Sequence, residues 1–296
     1  DRPVFPLFAI ITPCSTWPVC FWTSIQLQPT RSLLIQESTT MLPLVNIALQ
    51  AARDAAEALA HSSDRLDRVK VINNDPAEFL TSMDLASEKT ILYHLEKAYP
   101  DHSFHSRASG LKQGKSGEPT WLIDPLLGNM NFAGGYPQFA VSVACQIDGV
   151  VQHAVVISPL VREEYTASRG RGTQLNSRRL RVGQATEISD CLISLDGDIA
   201  DEVAVSMHRE IMAANARPRI SGCTPLDILN TACNRTQGGW AQTEPACSLA
   251  AVNLILQEAG GLIGSESGSP DLSSASELIF GNPKTFKQLT QIRSGL

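Results

Sequence analysis

Residues 121–132 of this chain read WLIDPLLGNMNF, and the rest of the sequence can be organised around this stretch. Its first three residues are apolar and predict a short buried strand, which delivers the carboxylate of Asp124 into a Pro-Leu-Leu-Gly-Asn turn. An acid at the end of an apolar strand is costly to bury unless something compensates its charge. Asp124 therefore indicates a pocket, a bound cation or a structural ion pair, and the stretch alone leaves all three open.

The composition of the chain excludes several classes of protein. The chain has 296 residues, of which 43% are hydrophobic, enough for a sizeable core in two fused subdomains. A net charge of -6 gives no basic footprint for direct nucleic-acid binding and no attraction to an anionic membrane. The seven cysteines form no C-x-x-C pair and are odd in number, which favours reduced thiols in a cytoplasmic protein over a disulfide framework.

The N-terminal residues 1–40 differ from the rest, being aromatic, rich in proline and poor in charge. Their apolar run is interrupted by Pro6, Pro13 and Pro18, which predicts neither a membrane helix nor a signal peptide. We expect an N-terminal extension outside the fold, with an ordered functional arm as the alternative.

The remaining sequence predicts alternating helices and strands. Apolar residues at helical spacing predict helices over residues 42–60 and 83–98, and a strand is expected at residues 69–72 before a turn. Residues 110–119 are polar and rich in Gly and Lys, which predicts a loop. Asp148-Gly149 joins two β-rich runs, residues 139–147 and 150–157, and so predicts a hairpin. A further strand pair is expected around the Arg-Gly-Arg-Gly turn at residues 169–172.

The pattern changes near residue 185, after which strands and helices alternate again. A strongly apolar helix is expected over residues 247–259, closed by the two glycines that follow it. We therefore predict a mixed α/β protein with an N-terminal subdomain at 41–184 and a C-terminal subdomain at 185–296. The functional site is expected at their junction.

From residue 41 onward the chain resembles the inositol monophosphatase family. Its first signature is matched by Trp121, Asp124, Pro125, Gly128, Asn131 and Phe132. The segments FAVSVACQIDG, QHAVVISPLVREEYTASRGRG and LNSRRLRV look like the bacterial SuhB branch, and QEAGGLI resembles the end of the second signature. The resemblance implies a layered αβαβα sandwich, usually dimeric, that hydrolyses sugar-like phosphate monoesters with Mg²⁺.

The resemblance also assigns positions to the metal site. Asp124 is the retained bridging ligand and Leu126 would offer its backbone carbonyl, whereas the other three acidic ligand positions hold Arg107, Leu127 and Ser248. Asn129 stands where the family has its catalytic Thr, and Asp84 matches the acid that orients that Thr. The formal charge of the four ligand positions falls from -4 in the family to 0 here, too little to offset the dehydration of Mg²⁺.

We therefore expect an ion pair between Arg107 and Asp124, with a metal-free pocket for phosphate or sulfate at Arg107 as the alternative. The resemblance places substrate or anion contacts at eight positions: Arg107, Gly128, Asn129, Gly222, Cys223, Thr224, Arg235 and Ala241. Ala241 replaces the acid that binds inositol hydroxyls.

Several other residues have ordinary structural interpretations. Trp240 is expected in the core, with a substrate platform as the alternative. Glu258 is expected to be a capping or solvated acid. The turn at 169–172 and the arginines of residues 178–181 are expected to be solvated, the alternatives being a phosphate cradle and a patch for an acidic partner.

Taken together, these observations predict a SuhB-like family member whose Mg²⁺-dependent phosphatase activity is lost or severely impaired. The resemblance implies a regulatory role in ribosomal RNA transcription antitermination with Nus factors and RNA polymerase, as a cytoplasmic homodimer. No cofactor is expected, and Mg²⁺ would be needed only for residual activity. The alternatives are a residual inositol-1-phosphatase and a metal-free protein that binds small anions.

Overall fold

The computed structural model describes residues 42–198 and 200–296. The predicted extension at 1–40 lies outside these residues. The α-helices of the described part are α1 (Pro43–Ser63), α2 (Ser82–Ala98), α3 (Asn129–Ala133), α4 (Glu202–Ala213), α5 (Thr224–Ala232), α6 (Ala246–Glu258) and α7 (Pro283–Ser294).

The strands fall into two main sheets and one small one. The first eight along the chain are β1 (Val71–Asn73), β2 (Leu80–Thr81), β3 (Ser103–Ser106), β4 (Gly110–Lys112), β5 (Thr120–Leu127), β6 (Ala140–Ile147), β7 (Val150–Ser158) and β8 (Glu163–Ser168). They are followed by β9 (Gly172–Leu175), β10 (Arg178–Arg179), β11 (Leu192–Asp196), β12 (Arg217–Arg219), β13 (Gly238–Gln242), β14 (Leu262–Gly264) and β15 (Glu277–Gly281).

The larger sheet has eight strands in the order β10-β9-β8-β7-β6-β5-β3-β4, and the second has five in the order β12-β11-β13-β15-β14. Strands β1 and β2 pair with each other. Within the larger sheet, β5 runs parallel to β3 and antiparallel to β6. The predicted division near residue 185 falls between the two sheets and stays a prediction.

Three hydrophobic clusters define the layers. Helices α1 and α2 pack on one face of the large sheet, through alternate residues such as Trp121 and Ile123. The opposite face, including Leu122, packs against α5 and α6, which also cover the inner face of the second sheet. The outer face of that sheet packs against α4 and α7 through Trp240 and Ile279. The order of layers is therefore α-β-α-β-α, and the predicted fold class is confirmed.

Local sequence signals account for several of these elements. Asp148 and Gly149 both have positive φ, 50° and 76°, as a tight two-residue hairpin turn requires, so the predicted hairpin is confirmed. Helix α2 begins with a capping box, in which Thr81 Oγ1 accepts from the N–H groups of Met83 and Asp84. Because Asp84 belongs to this cap, the helix start fixes the position of a carboxylate used in the site below.

Two local predictions were wrong in detail. The segment predicted as a loop at residues 110–119 contains β4, which forms one edge of the large sheet. The strand expected at 69–72 is β1, which begins two residues later because a short 3-10 helix, Leu66–Arg68, precedes it. No helix of the described residues has both the length and the apolar character needed to cross a membrane.

Candidate functional site

Asp124 lies where the pairing of β5 with β6 is interrupted. The register is regular up to Asp124 opposite Ser142 and resumes only at Leu127 opposite Ala140. The side chain of Asp124 is almost fully buried, and its Oδ1 accepts a hydrogen bond from the backbone N–H of Leu126 over 3.1 Å. The irregular end of β5 thus fixes the Asp124 carboxylate in a position that is buried from solvent.

Arg107 is brought to Asp124 by the parallel pairing of β3 with β5. Its backbone N–H donates to the carbonyl of Ile123 over 2.9 Å, which places it beside the strand end. The guanidinium Nε then donates to Asp124 Oδ1 over 2.9 Å, so the predicted ion pair is confirmed. Nη2 donates to the Leu126 carbonyl over 3.3 Å and to Asp84 Oδ1.

Asp84 is the second carboxylate on the same guanidinium, and this contact was not predicted. It is fully buried, and its Oδ2 accepts from the N–H and the hydroxyl of Thr81 over 2.8 and 2.7 Å. Its Oδ1 accepts from Arg107 and from Asn129 Nδ2, the latter over 3.3 Å. Asp84 and Asn129 are therefore in contact, and both oxygens of Asp84 are satisfied.

Ser248 completes the environment of Asp124. It lies in the first turn of α6, and its hydroxyl donates to Asp124 Oδ2 over 2.5 Å. Leu127 is buried in the cluster formed with α5 and α6, and so adds no polar group to the site. Burial alone lowers the pKa of Arg107, but Asp124 and Asp84 outweigh it and raise the pKa above its ordinary value. The guanidinium is therefore charged at any physiological pH.

The glycine of the first signature and the turn before α5 meet beside this ion pair. Gly128 has φ +69°, and a Cβ there would lie 2.4 Å from the Gln138 carbonyl, so only glycine fits. The same Cβ would lie 3.2 Å from Cys223 Sγ. Asn131 Nδ2 donates to the Ser221 carbonyl over 2.9 Å and thereby ties the turn containing Gly222 to α3.

Further acidic residues near the site were not predicted from the sequence. Thr224 donates to Asp196 over 3.0 Å, and Ser221 donates to Asp227 over 2.9 Å. Burial raises the pKa of Asp227 to about 7. It also raises the pKa of Glu244 to about 7, with the charges of Asp124 and Asp196 contributing. Asp196 ends an apolar strand as Asp124 does, and that shared pattern could have drawn attention to it.

Two residues at which a substrate or anion contact was predicted, Arg235 and Ala241, make other contacts in the structure. Arg235 forms an ion pair through both Nη atoms with Glu163, the contact from Nη1 being 2.9 Å, and Tyr165 donates to the same carboxylate over 2.7 Å. Ala241 is buried on β13 next to Trp240. Trp240 is fully buried and its indole N–H donates to Glu277 over 2.6 Å, so its expected place in the core is confirmed.

Glu258 has a role that the sequence did not predict. Its two carboxylate oxygens accept from the N–H groups of Gly170 and Gly172 over 2.8 and 2.7 Å. The expectation of a capping or solvated acid was wrong, because that expectation considered only the helix on which Glu258 lies. The turn at 169–172 does bind an anion, but the anion is a carboxylate of the chain itself, so these two N–H groups do not form a free phosphate cradle.

Comparison with known proteins identifies the family to which this chain belongs. The sequence model of the inositol monophosphatase family matches residues 40–294, and the chain belongs to that family. Among curated proteins it is similar to the Nus factor SuhB of Pseudomonas aeruginosa, with 39% identity over 258 residues, covering 84% of this chain and 95% of that protein. The Nus factor SuhB of Escherichia coli K12 is 31% identical over 253 residues, covering 84% of this chain and 95% of its own.

The solved structures agree with this placement. The extragenic suppressor protein suhB of Bartonella henselae superposes with a TM-score of 0.81 at 30% identity, covering 84% of this chain and 98% of that one. Within the family, the chain is thus similar to SuhB proteins in sequence and in fold.

Proposed function

We propose that this chain is a regulatory, SuhB-like member of its family, acting in ribosomal RNA transcription antitermination, with its Mg²⁺-dependent phosphatase activity lost or severely impaired. The observation that carries the proposal is the position of Arg107. One guanidinium contacts the carboxylates of Asp84 and Asp124 and the carbonyl of Leu126.

The residues present do not fit the Mg²⁺ that the family resemblance implies. Magnesium needs carboxylate or phosphate oxygens to offset its dehydration, and the candidate oxygens here already accept hydrogen bonds from a cation. Two unit positive charges about 4 Å apart repel by about 4 kcal/mol at a surface-like dielectric, and the double charge of Mg²⁺ doubles this repulsion. Arg107 therefore opposes the binding of a metal ion at these oxygens, and we interpret the metal motif as degenerate.

The groups that would activate water are also replaced. Asn129 carries an amide where the resemblance implies a hydroxyl, and its Nδ2 donates to the Phe79 carbonyl over 2.5 Å and to Asp84. A side-chain amide neither accepts a proton readily nor acts as a nucleophile. Leu127, at the position of the second signature acid, is buried in the apolar core.

The regulatory part of the proposal is supported by the relatives. Proteins covered over 95% of their length by this chain carry the name Nus factor SuhB. We propose that this chain likewise associates with Nus factors and RNA polymerase in the cytoplasm, as a homodimer. Size-exclusion chromatography with light scattering tests the dimer.

Calorimetric titration of Mg²⁺ into the folded protein tests the metal-site argument. We expect no saturable binding, and no Mg²⁺-dependent hydrolysis of inositol 1-phosphate under conditions where an active family member turns it over. Hydrolysis that requires Mg²⁺ and is inhibited by Li⁺ would contradict the proposal and favour the residual phosphatase.

A pull-down from a cell extract, performed in EDTA, tests the regulatory role. We expect the wild-type chain and the Arg107→Lys variant to recover Nus factors or RNA polymerase equally, because the proposed contact does not require a metal. Failure to recover any of these proteins would overturn the assignment.

Binding of a small anion is the second candidate function. Arg107 Nη1 makes no hydrogen bond within the described part of the chain, and the side chain is 17% exposed. Calorimetry with inorganic phosphate tests it: saturable binding that is absent in an Arg107→Met variant shown by circular dichroism to be folded would support an anion site.

A further inference from the structure

Five arginines lie between residues 169 and 181, at the β10 edge of the large sheet, and form what we call the arginine patch: Arg169, Arg171, Arg178, Arg179 and Arg181. All five are exposed. Arg169 and Arg171 belong to the turn between β8 and β9, and Arg178 and Arg179 form the edge strand β10. The Arg179 guanidinium reaches back to that turn, since a Cβ on Gly172 would lie 3.6 Å from its Nε.

Two arginines of the patch are held in place by uncharged acceptors. Arg169 Nε donates to the Val151 carbonyl over 2.8 Å, and Arg181 Nη1 donates to the Glu258 carbonyl over 2.9 Å. Backbone carbonyls position a guanidinium without neutralising it, so both arginines retain their full charge. The turn itself is fixed by the Glu258 carboxylate, which accepts from Gly170 and Gly172. The positions of Arg169, Arg181 and the turn are therefore fixed by hydrogen bonds, unlike those of surface arginines whose side chains move freely.

Within the described residues, none of the five arginines has a carboxylate partner, although arginines elsewhere commonly do. Ion pairs join Arg53 to Glu164, Arg217 to Asp190, Arg235 to Glu163 and Arg293 to Glu277. Residues 169–181 contain no acid, and Glu258, which contacts the turn, uses both oxygens on backbone N–H groups. A chain of net charge -6 thus carries a local concentration of unpaired positive charge.

We propose that the arginine patch binds an acidic segment of a partner protein. Planar guanidinium groups match carboxylates in bidentate geometry, and complementary charge guides association. A single-stranded nucleic acid is less well matched, because residues 169–181 contain no aromatic side chain for base stacking and the whole chain is acidic. The patch shares no residue with the Arg107 site, so this proposal and the metal-site argument can fail separately.

Fluorescence anisotropy with the full chain tests the proposal, using three labelled probes at low salt: oligoglutamate, oligoglutamine of equal length, and a single-stranded RNA of equal charge. We expect oligoglutamate to bind most tightly and its affinity to fall as salt is added, since exposed charges are screened. The Arg171→Gln/Arg179→Gln variant should bind it about tenfold more weakly.

Arg219→Gln is the matched control. Arg219 is exposed, has no carboxylate partner among the described residues, and donates to the Pro218 carbonyl over 2.8 Å, as Arg169 does to another carbonyl. Its substitution should change affinity by less than about twofold. An unchanged unfolding midpoint in all variants establishes that they are folded.

Three outcomes would overturn the proposal. The first is that oligoglutamate does not bind the wild type. The second is that Arg219→Gln loses as much affinity as the patch variant. The third is that the RNA binds more tightly than oligoglutamate. The last result would assign the patch to nucleic acid.

Discussion

Arg107 lies against Asp124, with Nε of the guanidinium 2.9 Å from Oδ1 of the carboxylate, and both side chains are largely removed from solvent. The same guanidinium contacts Asp84, so one cation compensates two buried acids. The charge that buried carboxylates require is therefore supplied by the chain itself and is present whenever the chain is folded. In the proposed interpretation, this internal cation replaces a dissociable metal ion.

Arg107→Met should destabilise the protein strongly. The substitution keeps much of the side-chain volume but leaves Asp84 and Asp124 buried without a counter-charge, which costs about 3–5 kcal/mol of unfolding free energy. Urea denaturation measures the change. Arg53→Met removes a half-exposed ion pair with Glu164 and should cost about 1 kcal/mol or less. Equal losses in the two variants would contradict the compensating role of Arg107.

Stability should decrease as the pH rises through neutrality because of Asp227. Burial raises the pKa of this carboxyl to about 7 in the folded state, whereas an unfolded Asp titrates near ~3.9. Between roughly pH 4 and pH 7 the folded state binds more protons than the unfolded state, so its stability falls with rising pH.

Asp227→Asn should weaken this dependence, since the amide cannot ionise, and leave the share contributed by Glu244, whose pKa burial also raises to about 7. Relative to the wild type it should gain unfolding free energy above roughly pH 7, by an amount on the order of a few kcal/mol, and gain nothing below roughly pH 4. Urea denaturation across this range measures both. Asp148→Asn, at an exposed hairpin turn, is the control and should leave the profile unchanged. A flat wild-type profile would refute the prediction.

Glu258→Gln should loosen the turn at 169–172. A carboxylate accepts from the Gly170 and Gly172 N–H groups at once, whereas an amide offers one oxygen and presents its NH₂ to the other donor. We expect a loss of about 1–3 kcal/mol of unfolding free energy and faster hydrogen exchange at the two glycines. Glu57→Gln, on the exposed face of α1, should change neither quantity. Unchanged exchange in Glu258→Gln would show that the contact does not order the turn.

His153 can report on the arginine patch. Burial lowers the pKa of its imidazole, and the charge of Arg171 lowers it further. Arg171→Gln should therefore raise the pKa of His153, and bound oligoglutamate should raise it in the wild type but not in that variant. NMR titration of the imidazole protons measures the shift, with Arg219→Gln as control. A His153 pKa that does not respond to Arg171→Gln would show that the patch does not act on this histidine.

Much of the architecture could be predicted because its signals are local. The hairpin at Asp148-Gly149 depends on two adjacent residues that accept positive φ, and the helix after residue 246 follows from one apolar run. The ion pair between Arg107 and Asp124 was predictable because the family resemblance aligns both residues with metal ligands. Local patterns failed at β4, because its three residues, Gly-Leu-Lys, are too few to show a strand pattern and they pair with β3.

The sequence by itself determined the family and the layered fold. Only the tertiary structure decided which groups satisfy the remaining charges. Ser248 reaches Asp124 across 124 residues of sequence, and Glu258 reaches Gly170 across 88. Such contacts depend on how α6 packs between the two sheets, and no spacing along the chain encodes that packing. A buried or partly buried carboxylate needs donors, and the fold determines which residues supply them.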